Sequence, residues 1–152
     1  MTEPEGARGA ADWADGRRDA ARIHVERLAR AKAAETARAR ELIADFVARA
    51  VERAVATGPL LARSGGGGTT CRTGLTGWYL TRDGSIGVTP RGDYYGLAVP
   101  LGLRERLRGI TLQPTDPPLQ VGAGARDGES IALDVLLAMR LAAGDHWPIH
   151  GR

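Results

Sequence analysis

The strongest constraint on the fold is the stretch from Asp15 to Thr57, which holds no proline and a single glycine, Gly16, at its start. Its residues are mostly Ala, Arg, Glu and Leu, side chains that lose little entropy in a helix. Gly58-Pro59 then supplies a stop signal. The spacing predicts a long helix over 15–57. Leu42, Ile43, Phe46, Val47, Ala50, Val51 and Ala54 recur so as to keep one side of a 3.6-residue helix apolar. Ala21, Val25 and Leu28 begin a similar stripe that Lys32 and Glu35 interrupt, which argues against a continuous heptad coiled coil. The pairs Glu26–Arg30 and Asp45–Arg49 support the helix by about a few tenths of a kcal/mol each.

Residues 1–14 read as a disordered leader. Residues 58–72, containing Ser64 and the run of four glycines after it, read as a Gly-rich linker. Beyond it the pattern changes to period 2. Leu75–Thr81, Ser85–Thr89 and Tyr94–Val99 alternate like strands, with turns at Asp83-Gly84 and at Pro90–Asp93, so an antiparallel meander is expected. Leu103–Leu107 reads as a short helix ended by Gly109. Ile110–Gln113 and Leu119–Val121 read as two further strands, and Gly122–Glu129 as a loop. A last helix, Ile131–Ala143, is expected to be capped by Ser130 or Asp127 and to stop at Gly144, leaving a solvated tail at 145–152. The expected class is α+β: a long N-terminal helix, a Gly-rich linker, and a compact domain at 73–144 with four or five antiparallel strands backed by the C-terminal helix.

Charge narrows the function classes without choosing one. The formal charge is +3, and arginine is used almost to the exclusion of lysine. Residues 1–15 are acidic, with Glu3, Glu5, Asp12 and Asp15 against Arg8. The following stretch to Thr57 carries ten basic and six acidic groups, so any nucleic-acid affinity would reside there. The single cysteine, Cys71, forms no internal disulfide and suits a reducing compartment. No run approaches the roughly 20 apolar residues that span a bilayer, so a cytoplasmic protein with no membrane partner is expected.

Several motifs lose their functional reading on inspection. The glycine run lacks the Gly-Lys-Ser/Thr that neutralises nucleotide phosphates, since Gly68 is followed by Thr69, Thr70 and Cys71. Gly122-Ala-Gly124 has Asp127 where a dinucleotide fingerprint needs its third glycine, which leaves a polar turn with Arg126 as an anion contact at most. Arg91-Gly92-Asp93 is an ordinary turn between strands. His146 and His150 have chelating spacing, but Pro148 lies between them and disfavours the helix it requires. Cys71 has no histidine near it in sequence to act as base; only His24 could serve. Asp127 and Glu129 sit in a polar loop. No cofactor, no metal and no catalytic residue is therefore expected, and the chain reads as a non-enzyme.

Trp78-Tyr79-Leu80 resembles the signature of WYL domains, ligand-sensing β-rich domains of bacterial regulators. That likeness implies a strand bearing the triplet and downstream basic residues against a nucleic-acid-like ligand; Arg104, Arg106 and Arg108 follow here, but on the expected short helix and without matching that pattern. A broader likeness rests on Gly74–Ser85, Tyr94–Pro100, Pro117–Gly122 and Arg126–Ser130. Over residues 73–144 the chain is similar to a small uncharacterised protein type common in actinobacteria, with no assigned activity. It implies one compact C-terminal domain.

Two functional readings follow. In the first, the chain is an accessory or adaptor protein. The face formed by Leu42, Ile43, Phe46, Val47, Ala50 and Val51 meets a protein partner, self-associates or folds back on its own sheet. In the second, Arg17, Arg18, Arg22, Arg27, Arg30, Lys32, Arg38 and Arg40 contact nucleic-acid phosphates, or the domain senses a ligand.

Overall fold

The computed structural model describes residues 5–65, 68–122 and 129–149. The chain divides into two units, Met1–Glu35 and Thr36–Arg152. Helix α1 (Glu5–Glu52) starts inside the expected leader and supplies all the described structure of the first unit. Its remainder, from Thr36, belongs to the second unit, so the α+β domain begins well before residue 73. The helix ends earlier than Thr57, because Ala54 takes a left-handed conformation (φ 54°) and turns the chain.

The expected linker is instead a hairpin. Strand β1 (Gly58–Arg63) pairs antiparallel with β2 (Thr70–Tyr79), and Ser64 N–H donates to the carbonyl of Thr69 (3.1 Å). Glycine composition hid a strand whose Leu60 and Ala62 point inward and are buried. The register jumps between Leu60 and Leu61: Leu60 faces Leu75, and Leu61 faces Arg72. Thr73 and Gly74 are therefore extra residues on β2, and Gly74 adopts φ 75°, the bulge conformation that glycine permits. Gly77 is required for a different reason, since a Cβ there would lie 2.1 Å from the carbonyl oxygen of Val88.

Strands β3 (Ile86–Val88) and β4 (Tyr94–Gly96) continue the antiparallel order β1-β2-β3-β4. Just beyond β4 the chain returns to β1: Arg63 and Ala98 form a parallel bridge, Arg63 N–H donating to Leu97 (2.8 Å) and Val99 N–H to Arg63 (3.0 Å). The segment just after β4 thus lies against the free edge of β1. Helix α2 (Leu103–Arg108) follows, one residue longer than expected. Ile110–Gln113 forms no strand; Ile110 makes a single backbone hydrogen bond, to Arg72. Strands β5 (Gln120–Gly122) and β6 (Ser130–Ala132) form a separate two-stranded sheet.

Helix α3 (Leu133–Ala143) starts later than expected and has Ala132, not Ser130, at its N-cap. Ser130 is in β6, and the carbonyl of Leu119 takes the N–H of Leu133 (2.8 Å) in place of a side-chain cap. Asp127 lies outside the described residues. The tail is solvated only in part: Asp145, His146 and Pro148 are exposed, but Trp147 is not. Gly144 reverses the chain after α3, a 3₁₀ turn covers Gly144–His146, and Trp147 is buried. The indole lies within cation–π distance of Arg82 (5.2 Å) and Arg140 (5.6 Å).

Candidate functional site

The apolar face of α1 is the first place to test for function, and most of it is core. Ala39, Ile43, Phe46 and Ala50 are buried, and Leu42 and Val47 are half-buried against the same cluster, which also contains Trp78, Leu80, Val88, Leu133, Leu136 and Leu137. Phe46 meets Trp78 edge-on, with centroids 5.7 Å apart and planes at 86°. Trp78 Nε1–H donates to the carbonyl of Val55 (3.2 Å), tying the strand to the end of the helix. Of the six residues read as partner-binding, only Val51 is open to solvent, at 61%. The face folds back on its own sheet, one of the three arrangements expected for it.

The Trp78-Tyr79-Leu80 triplet is structural too. Trp78 and Leu80 are buried, and the hydroxyl of Tyr79 accepts from Leu61 N–H (2.8 Å), stapling β2 to β1 at the bulge.

The basic residues of α1 are exposed, but most are engaged. Arg18 pairs with Asp15 (3.0 Å), Arg22 with Asp19 (3.3 Å), Arg30 with Glu26 (3.8 Å) and Arg38 with Glu41 (3.0 Å). Arg17 stacks on Trp13 at 5.2 Å. Arg27 and Lys32 have no ion pair among the described residues. Exposed pairs of this kind contribute little stability, but they leave few free cations along the helix for phosphates.

One cleft brings residues from both expected sets together. Arg40 and Val47 of α1 line it, with Ala44, the β3–β4 turn at Pro90–Asp93, Tyr94, and the loop at Pro114–Pro117. Its volume is about 560 Å³, within the range of small-molecule sites. Arg40 donates to Asp116 (2.6 Å) across it, and Arg91 approaches Asp93 more loosely (3.9 Å). Burial pushes the Tyr94 phenol up to about 12, so it stays protonated at neutral pH. The lining thus offers two guanidiniums, two carboxylates, a phenol and an apolar floor.

Chemistry elsewhere is sparse. Burial, with the charge of Glu105 second, pushes the Cys71 thiol up, which keeps it in its unreactive form. Among the described residues, no group of three or more His, Cys, Asp and Glu side chains is placed to hold a metal ion. Arg126 and His150 lie outside the described residues. No helix among them is long and apolar enough to cross a membrane. No protein-family model, curated protein or solved structure matches the chain.

Proposed function

We propose that this chain is a non-enzymatic adaptor working through protein–protein contacts, and that its contact element is the helical arm at 9–35. One observation carries the reading. Every side chain from 9 to 35 is exposed except the half-buried Ala14, and Trp13, Ile23, Val25 and Leu28 are among them. A lone helix is marginal in water, and large apolar side chains on it gain from any surface that covers them. The 42–51 face is already spent on the core, so the arm takes over the role first read into that face.

The test is capture from native lysate, with nuclease-treated controls, comparing the full chain with a Val25→Asp/Leu28→Asp variant. A distinct protein that is recovered with the parent and lost with the variant supports the adaptor. Equal recovery removes the arm from the argument, and nuclease-sensitive recovery transfers the reading to nucleic acid. The 560 Å³ cleft favours a second reading, a ligand-sensing domain. A small zwitterion that raises the melting temperature of the parent but not of Arg91→Gln would support it.

A further inference from the structure

Helix α2 is built the wrong way out for an ordinary surface helix. None of its residues is buried. It is held instead by its own ends: Glu105 Oε2 accepts from Gly102 N–H (2.9 Å), and Ile110 N–H, just past the helix, reaches the carbonyl of Arg72 (2.9 Å). Leu103 and Leu107, one turn apart, share a face. Arg104 and Arg106 flank that face, while Glu105 is on the opposite side. Arg72, Arg104, Arg106 and Arg108 form no ion pair among the described residues, unlike most arginines of α1. The result is an apolar ridge flanked by basic side chains, with the helix's one carboxylate, Glu105, on the far side.

The chain carries the complement. Among the described residues, the three most exposed large apolar side chains are Leu107 at 83%, Leu103 at 77% and Trp13 at 70%. Two of them make the basic ridge. The third lies in the acidic stretch, with Asp12 and Asp15 beside it and Glu3 and Glu5 against Arg8 upstream, while Arg17 stacks on its ring. Asp15 already holds Arg18, but Asp12 has no ion pair among the described residues. Aromatic and arginine side chains of this kind are the usual anchors of protein interfaces.

Resting on the adaptor reading of the arm, we propose that the chain self-associates head to tail, the acidic Trp13 segment of one copy seating on the Leu103–Leu107 ridge of a second copy. A lipid surface fits less well, because two leucines bury less than a single myristoyl chain, whose own anchoring is marginal. Nucleic acid would use the arginines and leave the leucines without a role. Since the two surfaces differ, the contact closes as a reciprocal two-fold dimer or repeats into rings and open chains.

Analytical ultracentrifugation of the full chain over a concentration series tests this, with circular dichroism to verify folding. The parent should gain mass with concentration. Trp13→Ala and Leu103→Ser/Leu107→Ser should each weaken association on the order of thirtyfold, the size of an interface hot spot. Mixed together, the two variants should form a 1:1 dimer and stop there, because each keeps one intact half of the contact. A parent that stays monomeric at every concentration would overturn the proposal. So would variants that associate as well as the parent, or a mixture that fails to pair. Binding of a monomeric parent to phosphatidylglycerol vesicles, lost in the leucine variant, would assign the ridge to lipid instead. None of these outcomes alters capture of a different protein through Val25 and Leu28, so the adaptor reading stands or falls separately.

Discussion

Replacing Phe46 by alanine separates the two roles open to the apolar face of α1. The ring is buried and meets Trp78 edge-on at 5.7 Å. Truncating a buried phenylalanine costs about 3–5 kcal/mol in lost transfer energy and residual cavity. Of this, about 0.5–1.5 kcal/mol belongs to the ring–ring geometry. A domain of this size holds only about 5–15 kcal/mol in total, so the variant gives up a large fraction of it. Urea unfolding followed by circular dichroism is the assay. With a slope of about 1–3 kcal/mol per M, the midpoint should fall by more than about 1 M. Val51→Ala is the companion, since Val51 lies on the same helix but is exposed; it should shift stability by less than about 0.5 kcal/mol. If Phe46→Ala shifts stability no more than Val51→Ala does, the face is not core and the docking reading of 42–51 returns.

Three further outcomes follow from the packing. Arg140 is buried, its Nε–H donating to the carbonyl of Tyr79 (2.8 Å) and its Nη1–H to that of Gly144 (2.6 Å). Arg140→Ala should cost about 2–4 kcal/mol by urea titration, and Lys should not rescue it, having no planar fork to reach both carbonyls. Ala54→Gly should raise stability by about 0.5–1 kcal/mol, because it relieves a left-handed alanine, and a calorimetric melting point reads it. Burial pushes the Asp83 carboxyl up, but hydrogen bonds from Thr81 and Ser85 and the charge of Arg63 overcome this and hold it below the usual range. A lowered folded-state value stabilises above the unfolded value near about 3.9 and is lost as pH falls through the folded one. The stability advantage of the parent over Asp83→Asn should therefore be level at neutral pH and vanish in acid; an advantage that persists through the acid range would refute the assignment.

The sequence made elements legible where one local pattern decided them. The spacing of Ile43, Phe46 and Ala50 marked the buried side of α1, and the alternation around Tyr94 marked β4, because both depend only on residues within a few turns or pairs. What covers that side of α1 is set by Trp78 and Leu137, far along the chain, and no periodicity carries such information. Residues 58–72 were misread for a physical reason: glycine composition describes a linker and a hairpin turn equally well, and Leu60-Leu61-Ala62 is too short a run to stand out against it. Trp147 escaped because Pro148 and the histidines beside it signal a loop, while its burial depends on Gly144 turning the chain back after α3. The cleft was not legible in the sequence, since its walls come from α1, the β3–β4 turn and the 114–117 loop. Helix α2 was expected, but not that both of its leucines would face water.

The bridge between Arg63 and Ala98 bears on how the chain folds in time. The β1–β2 hairpin is local and forms early, whereas the bridge must wait until β3, β4 and both intervening turns are in place, with a large loop to close. Until then the outer edge of β1 lacks the backbone partners that Leu97 and Val99 bring to it, a template for a strand from another chain. Fast refolding at low protein concentration should therefore outrun misassembly, and slow refolding of a crowded sample should not.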